Sequence, residues 1–533
     1  MHLRRQDALR SGALLFVLVV TILLVLPGKY NVRSYLPSPI SSDSSSQPII
    51  PAQDPALTNT PLPESYRDTL SDLKLPKQLQ QYPQLYNRLH AFLSRPVRSY
   101  DEATVVNEKK CPRVLSNRLV NPDQLNGDGE FWRDEVSEET IRKKRVEMVN
   151  YLVEVIERGE DVVWNVAQLE ASDRIQEAGI IADANLDIAK RARISGKDSS
   201  RRGFVSAAGN SDTTQRLLTL LRVMRKHYKV DLPFEVWTFP GELPSSSREY
   251  IELTEELGAT VHEARGLVKD EGAWKNFQIK GLAITSSSFR ELIYLDSDNI
   301  PLRDPTHLFE SARYKNNGAA AFWPDLSKDH VDNAIWRIIG DECDLDHWTF
   351  ESGQIVIDKA GNDGLNLAAL HLAAYMQADH DFWFRMCGGD KDTFRWAFRA
   401  LDLPFAVSPM WAVPLGQRNG FENGRFCGHT VLQYDLETAP GDEEPQPLFV
   451  HSYSEPSLNY VHQWVYQGVA RGMCTDLDIW DSEPRLPEEF ADYQHVEMQK
   501  LSDLPGEPFA GFENIFFDEG GRAGGWRRKR RLD

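Results

Sequence analysis

The sequence predicts an α/β fold, a doubly wound and mostly parallel sheet flanked by helices, and two observations lead to this class. From residue 201 onward, short apolar runs that predict strands alternate with helical runs, which favours parallel pairing. One of these strands also ends directly in acidic residues, and ligands of open α/β sheets bind at the carboxyl ends of strands. With 41% hydrophobic residues, the chain can form a sizeable core.

The elements of this region follow one another in order. Phe204–Ala208 predicts the first strand, and Asp212 or Thr213 is a suitable cap for the helix Thr214–His227. No G-x-G-x-x-G or P-loop pattern occurs, which argues against a classical dinucleotide site and a P-loop enzyme. The other predicted strands are Phe234–Phe239, Thr260–His262, Leu292–Leu295, Ala319–Trp323, Gln354–Ile357 and Leu448–His451, and the other helices are Arg248–Leu257 and Trp274–Ser286.

The first 63 residues predict a membrane anchor and a stalk. Residues 13–27 are almost wholly apolar and follow three arginines, which predicts a signal anchor with residues 1–12 in the cytoplasm. The run is short for a membrane helix, so a cleaved signal peptide is the alternative, but no Ala-x-Ala-like site follows it. Residues 28–63 are rich in Ser and Pro and predict a flexible stalk.

Residues 64–200 predict a helical stem between the stalk and the sheet domain. Helical spacing occurs in Glu64–Leu93 and Glu138–Ile156, and Gln168–Arg193 predicts a further charged helix. The basic run Arg142–Arg145 predicts a solvated helix face. The catalytic domain is then predicted over residues 201–518, and residues 519–533 predict a Gly-rich basic tail.

Charge and cysteine content restrict the function. The 79 Asp and Glu residues outnumber the 60 Lys and Arg residues, and the net charge of −19 argues against general nucleic-acid binding. The five cysteines contain no C-x-x-C pair, so zinc ligation is not predicted. In a luminal compartment, one or two disulfides would form and leave at least one thiol.

The most informative residues are Asp296 and Asp298, which follow the apolar run Leu292–Leu295. Two positions apart in a continuous strand, both carboxylates would point to one face. Mg²⁺ and Mn²⁺ are commonly held by one or two carboxylates together with substrate phosphates, so the pattern favours a nucleotide-sugar transferase. A surface turn is the alternative, because Asp-Asn-x-Pro is ordinary turn chemistry.

Two further segments suit the binding of a sugar. Glu351 and Gln354 flank Gly353 before a predicted strand and would bind sugar hydroxyls, with a plain turn as the alternative. In Cys387–Phe398, Asp390 or Asp392 would face an anomeric carbon, although both residues also suit the start of a helix near Thr393.

One histidine is a candidate metal ligand. His451 ends the strand Pro447–Val450, and a neutral imidazole there would complete a Mn²⁺ site. A structural histidine at the end of a strand is the alternative.

Together these segments resemble a known family. The order of the segments, the anchor and the stalk are similar to those of the fungal Golgi mannan α-mannosyltransferases of glycosyltransferase family 71. The resemblance covers about residues 201–472, and it implies a GT-A-type fold, a GDP-mannose donor, Mn²⁺ and retention of the α configuration. The runs that carry it are YLDSDNIPLRDPTHLF (Tyr294–Phe309), FWPD (Phe322–Asp325), FESGQIVIDK (Phe350–Lys359) and GGDKDTFRWAF (Gly388–Phe398).

The resemblance also implies roles for individual residues. Asp298 would be the direct metal ligand, with Asp296 as its partner and His451 as a further ligand. Lys280 and Asp296 would contact the donor. The remaining implied positions are Ser206, Ala207 and Gly209 facing the guanosine, Glu351, Asp390 and Asp392 at the reacting sugar, and Ser352 and Gln354 binding the acceptor sugar.

The activity implied is transfer of mannose to an α-mannoside of a cell-wall or secretory glycan, such as mannan or an N- or O-glycan. The Asp-Ser-Asp-Asn-x-Pro motif resembles that of the α-1,2 branch-forming members, with α-1,3 transfer as the alternative. The chain would be a single-pass type II protein of the Golgi membrane with a luminal catalytic domain, and other mannosyltransferases are candidate partners in a hetero-complex. The alternative classes are an inactive membrane-anchored carbohydrate-binding protein and a nucleotidyltransferase that makes the sugar nucleotide.

Overall fold

The centre of the fold is a seven-stranded sheet. The computed structural model describes residues 75–113, 122–164, 202–270, 276–325, 327–344, 348–410, 412–419, 425–439, 442, 445–451, 464–467, 474–475, 497–500 and 512–521. The strands of this sheet are β1 (Arg202–Ala207), β2 (Phe234–Thr238), β3 (Ala259–Glu263), β4 (Glu291–Leu295), β6 (Ala320–Pro324), β7 (Phe350–Asp358) and β8 (Ala406–Val407).

The strand order confirms the predicted fold class. The order is β3-β2-β1-β4-β7-β6-β8, and β3, β2, β1 and β4 are parallel to each other. β7 runs antiparallel between β4 and β6, while β8 is parallel to β6. The sheet is therefore mostly parallel, with one reversed strand beside β4.

Helices cover both faces of this sheet. In β4, Leu292 and Tyr294 belong to one buried apolar cluster, and Ile293 and Leu295 belong to another, as the alternation of a strand requires. The helices of the domain are α5 (Ser211–Arg222), α6 (Arg248–Ile251), α7 (Ile279–Ser286), α8 (Ala312–Asn316), α9 (Ile335–Ile339), α10 (Leu365–Ala378), α11 (His380–Cys387), α12 (Lys391–Ala400) and α13 (Phe512–Asp518).

A second, antiparallel sheet was predicted only at its strand near His451. Its order is β14-β12-β9-β10-β11-β5, and β13 pairs with β10. Short β5 follows β4 directly, so the second sheet joins the first beside the Asp296–Asp298 turn. The strands are β5 (Asn299–Pro301), β9 (Val413–Asn419), β10 (Arg425–Tyr434), β11 (Pro447–His451), β12 (Trp464–Gln467), β13 (Cys474–Thr475) and β14 (Glu497–Lys500).

The N-terminal helices pack on the sheet domain. Their apolar residues, such as Phe92 and Leu152, share one buried cluster with Trp336 and Leu365 of the sheet domain. A disulfide between Cys111 and Cys343 links the two parts covalently, while Cys387 is a free, buried thiol. These helices are α1 (Pro83–Leu93), α2 (Tyr100–Lys110), α3 (Pro122–Asp134) and α4 (Glu138–Glu157).

The prediction of a solvated basic face at Arg142–Arg145 on α4 is wrong for two of its four residues. Lys144 and Arg145 are buried, and Lys144 forms an ion pair of 2.6 Å with Asp379. Arg145 donates hydrogen bonds to the carbonyls of Arg337 and Ile338 at the C-terminus of α9, where unpaired carbonyls need donors. These cations are therefore part of the contact between the N-terminal helices and the sheet domain.

Several predicted boundaries shift for local reasons. α5 begins at Ser211, because Asn210 rather than Asp212 or Thr213 caps it by accepting from two backbone N–H groups. Phe350–Gly353 lies inside β7 rather than before it. α12 begins at Lys391, two residues before Thr393.

Part of the predicted organisation lies outside the described residues. This applies to the anchor 13–27, the stalk 28–63, the helix Gln168–Arg193 and most of the tail 519–533. Within the part of the chain that the structure describes, no helix has the length and apolar character needed to span a bilayer.

Candidate active site

A large cavity lies at the carboxyl ends of β1, β2 and β4, as expected for an open α/β sheet. Its volume is about 890 Å³, which is in the range of pockets that enclose a cofactor-sized ligand. Among the predicted site residues, those that line it are Ala207, Gly209, Lys280, Asp296, Asp298, Glu351, Ser352, Asp390 and His451.

Asp296 and Asp298 occupy a turn rather than a continuous strand. β4 ends at Leu295, and the Asn299 N–H donates to the Asp296 carbonyl over 3.0 Å, which closes the turn. The Asp296 N–H still donates to the Gly353 carbonyl of β7 over 2.8 Å. The expected side-by-side geometry of a strand is therefore absent, but both carboxylates line the cavity because the turn folds Asp298 back toward it.

His451 reaches this turn through the second sheet. In the pairing of β11 with β5, His451 lies opposite Asn299. Its Nε2 lies 3.4 Å from Asp298 Oδ1 and 3.7 Å from Asp296 Oδ2. Gly353 makes room for the imidazole, because a Cβ there would lie 2.6 Å from His451 Nδ1.

These three residues form a candidate metal centre. One ligand atom from each of Asp296, Asp298 and His451 falls within 4.8 Å of the others. Carboxylate oxygens suit hard cations such as Mg²⁺ and Mn²⁺, and imidazole favours a transition ion. The donor set therefore fits the predicted divalent cation.

Glu351 lies against the candidate ligand His451. Its Oε1 lies 3.0 Å from His451 Nδ1 and accepts from the Gly353 N–H over 2.8 Å. Burial opposes the ionisation of Glu351, but His451 and the Gly353 N–H keep its pKa at about 2. A carboxylate on the far nitrogen of a metal-binding histidine fixes the orientation of the ring. This contact differs from the predicted place of Glu351 at the reacting sugar.

Lys280 is the centre of a buried cluster on the other side of Asp296. Its Nζ lies 2.9 Å from both Asp296 Oδ2 and Asp390 Oδ2, and it donates to Ser352 Oγ over 2.8 Å. Ser352 Oγ in turn donates to Asp390 Oδ2 over 2.9 Å. Burial would lower the pKa of Lys280, but the two carboxylates outweigh it and raise this pKa above the usual value. The ammonium group is thus a fixed positive charge at the wall of the cavity.

Three predicted site residues do not line the cavity. Ser206 is buried within β1, and Gln354 accepts a hydrogen bond from Asn299, the residue that closes the turn of Asp296 and Asp298. Asp392 points into the core, where it accepts from the Phe350 N–H over 2.9 Å and pairs with Arg395 at 2.8 Å. The structure therefore separates Asp390 from Asp392, which the sequence had grouped.

Two contacts to the acidic turn were not predicted. Arg216 Nη1 donates to Asp298 Oδ2 over 2.8 Å, and the Tyr294 hydroxyl donates to Asp296 Oδ1 over 2.9 Å. Arg216 lies on α5, one turn after Asp212, with which it also pairs at 2.6 Å. The helix that carries Arg216 follows the first strand of the sheet, and ligands of open α/β sheets bind at the carboxyl ends of strands. The sequence position of Arg216 could therefore have predicted that it lies near the site.

The fold and the cavity together form the arrangement that the sequence predicted for a nucleotide-sugar transferase: a mostly parallel sheet whose fourth strand ends at paired carboxylates, with a basic residue and a histidine beside them. Over residues 201–348 and 342–435, the chain matches the family model described as "Mannosyltransferase putative". These residues make up less than half of the chain. The predicted resemblance to fungal α-mannosyltransferases is confirmed for this region.

Curated relatives agree with this family. An α-1,2-mannosyltransferase of Candida albicans, MNN24, is 28% identical over 168 residues, which cover 24% of this chain and 23% of that protein. The α-1,2-mannosyltransferase MNN5 of Saccharomyces cerevisiae is 24% identical over 220 residues, which cover 30% of this chain and 36% of that protein. The chain thus spans about a quarter to a third of the length of these two relatives.

Solved structures show weaker similarity. The galactosyltransferase LgtC, in complex with donor and acceptor sugar analogues, has a TM-score of 0.27 and 14% identity, with 37% of this chain and 70% of that chain covered. The glycosyltransferase GlyE of Streptococcus pneumoniae has a TM-score of 0.26 and 15% identity, with 39% and 44% covered.

Proposed function

We propose that this chain transfers mannose from GDP-mannose to an α-mannoside acceptor, with retention and an α-1,2 linkage, in the presence of Mn²⁺. One observation carries the proposal. Asp296, Asp298 and His451 converge beside the buried Lys280–Asp390 pair in a single cavity, and all of these residues except His451 lie within the part of the chain that matches the mannosyltransferase family model.

The proposed chemistry is mainly electrostatic. Asp296, Asp298 and His451 would hold the cation, and the chemistry that such an ion supplies is neutralisation of charge on the diphosphate leaving group. Lys280 adds a second positive charge that is already fixed by its contacts, so little reorganisation is needed during the reaction.

Asp390 is the carboxylate that we place at the reacting sugar. Glu351 is bound to His451 and the Gly353 N–H, and Asp392 is turned into the core. Asp390 lines the cavity and is held by Lys280 and Ser352. It would accept a hydrogen bond from a mannose hydroxyl and stabilise positive charge at the anomeric carbon, whether attack is by a nucleophile or from the front face.

We also propose the predicted type II topology in the Golgi membrane, with a mannan or N- or O-glycan acceptor. The disulfide between Cys111 and Cys343 supports a luminal catalytic domain, because such bonds persist in the oxidising secretory compartments. The association with other mannosyltransferases is part of this proposal and is tested by co-purification of the native protein.

The direct test is a transfer assay with the purified chain, GDP-mannose and defined α-mannosides, with Mn²⁺ or with a chelator. The expected result is Mn²⁺-dependent formation of an α-1,2-linked product, identified by NMR linkage analysis. If no α-mannoside accepts mannose from GDP-mannose, the proposed activity is overturned. A β-linked product would overturn retention, and an α-1,3-linked product would overturn the linkage.

A further inference from the structure

The cavity has two ends with different chemistry. At the β7 end, Lys280, Ser352 and Asp390 form a dense polar cluster that suits the hydroxyl groups of a sugar. At the β2 end, the lining residues include Phe239 and Glu242. The candidate metal centre at the end of β4 lies between these two ends.

The order of the strands gives the distance between the β2 end of the cavity and the candidate metal centre. β1 pairs with β4 on one side and with β2 on the other, so the ends of β2 and β4 are two strand spacings apart. At about 4.8 Å per spacing this is roughly 10 Å. A nucleoside whose diphosphate contacts the metal centre would span this distance and bring its base to Glu242.

The position of Glu242 is fixed by its surroundings. It follows the turn at Pro240 and Gly241, in which the Gly241 N–H donates to Glu263 Oε1 over 3.0 Å at the end of β3. The Glu242 N–H donates to the Phe239 carbonyl over 3.1 Å, and its carboxylate pairs with Lys269 at 2.9 Å.

Gly209 allows the Glu242 carboxylate to lie against the end of β1. A Cβ at Gly209 would overlap Glu242 Oε2 and Thr238 Oγ1. The carboxylate, whose side chain is 15% exposed, therefore lies at the wall of the cavity beside the first strand.

We propose that Glu242 selects a guanine base in the donor; this rests on the proposed function. Guanine presents two parallel donors on one edge, N1–H and the exocyclic N2 amine. A carboxylate accepts both in the bidentate manner in which it accepts an arginine. Adenine has an acceptor at N1, and uracil has one N–H between two carbonyls, so neither matches this acceptor pair.

The test compares GDP with inosine diphosphate, which differs from GDP only in lacking the N2 amine. Affinities are measured by calorimetry in the presence of Mn²⁺ for the wild-type chain, Glu242→Gln and Glu242→Ala. We expect the wild-type chain to bind GDP about 10- to 100-fold more tightly, the range for one hydrogen bond to a charged group. In both variants the affinity for GDP should fall by about this factor, and the affinity for inosine diphosphate should fall by less. The ratio of the two affinities should therefore approach one.

Two controls separate base recognition from a structural role. Glu256→Gln changes an exposed glutamate outside the cavity and should leave both affinities unchanged. Lys269→Ala removes the ion pair but keeps the Glu242 carboxylate, so the preference for GDP should persist.

The outcomes also separate this inference from the proposed function. If the wild-type chain transfers mannose from GDP-mannose but does not distinguish the two diphosphates, or if Glu242→Ala keeps the preference, only the role of Glu242 is overturned. If the wild-type chain binds no guanosine nucleotide, the proposed function and the role of Glu242 are both overturned.

Discussion

Two Asp-x-Asp sequences meet at the cavity, and they place their carboxylates differently. Asp296-Ser297-Asp298 forms a turn between β4 and β5, and both of its carboxylates line the cavity. Asp390-Lys391-Asp392 stands at the start of α12, where residues two apart point about 200° apart around the axis. Asp390 therefore lines the cavity while Asp392 is buried in the core. Equal spacing in sequence thus gives a pair of candidate ligands in one place and a divided pair in the other.

The largest effect is expected on mannose transfer, from a substitution in Asp296-Ser297-Asp298. Asp298→Ala should reduce mannose transfer by at least about 1000-fold, because the cation that neutralises the leaving group would lose a carboxylate ligand. The free energy of unfolding without metal should change by no more than about 1 kcal/mol, since Arg216 keeps its pair with Asp212. The measurements are the transfer assay, Mn²⁺ binding by electron paramagnetic resonance and urea unfolding.

A matched control for this variant is Asp381→Ala, which removes an aspartate whose side chain is 97% exposed. It should leave transfer and metal binding unchanged. Undiminished transfer by Asp298→Ala would rule out its role as a ligand and would remove the contrast between the two sequences.

Substitution of Asp392 in the second Asp-x-Asp sequence should instead lower the stability of the protein. Asp392→Ala leaves the Phe350 N–H without its acceptor and removes one of the two carboxylates that pair with buried Arg395, the other being Asp329. We expect the free energy of unfolding to fall by about 3 kcal/mol, as for other disrupted buried pairs. Turnover per folded molecule should fall by less than about 10-fold. Unchanged stability with a 1000-fold loss of turnover would instead place Asp392 in the chemistry.

Glu351 provides a third and smaller effect. Glu351→Gln replaces the carboxylate that faces His451 Nδ1, and loss of such a partner typically weakens metal affinity by about 10- to 100-fold. Titration of the protein with Mn²⁺ in the absence of donor measures this directly. A covalent nucleophile would behave differently, because its removal would stop turnover while leaving Mn²⁺ affinity as it was.

The last prediction concerns pH. Burial raises the pKa of Asp392 to about 6, against the opposing charge of Arg395, so the folded protein holds this proton more tightly than the unfolded chain. The corresponding stability is complete below about pH 4 and is lost as the pH rises through about 6. Asp392→Asn cannot ionise, so the difference between its unfolding free energy and that of the wild type should change by roughly 2–3 kcal/mol across this window, at about 1.4 kcal/mol per pKa unit. A constant difference in urea unfolding from pH 4 to pH 7 would contradict this assignment.

The parallel half of the fold was predictable because its signal is local. The strands at Phe234 and Leu292 are apolar runs that end at turn residues, and their helices have caps and apolar stripes close in sequence. The second sheet was largely missed, because its pairing joins distant segments such as β5 and β11. Register of this kind depends on long-range contacts that the spacing of residues does not encode.

The residues of the site were predictable where the residue type alone indicates the chemistry, as carboxylates and histidine do for a metal ion. The positions of Asp298 and His451 on one cavity agree with their predicted roles as ligands. The orientation of Asp392 was not predictable, because it depends on whether a helix or a turn begins two residues earlier. The contact between Glu351 and His451 was not predicted, since only the close approach of His451 at Gly353 reveals it.

The pairing of β11 with β5 has a consequence for the order of events during synthesis. His451 lies opposite Asn299, so the third candidate ligand arrives only when β11 has left the ribosome and joined a strand made much earlier. A nascent chain that ends before Pro447 would have both aspartates but no complete chelate. At the proposed metal centre, tight retention of the cation would then report that β11 has paired with β5.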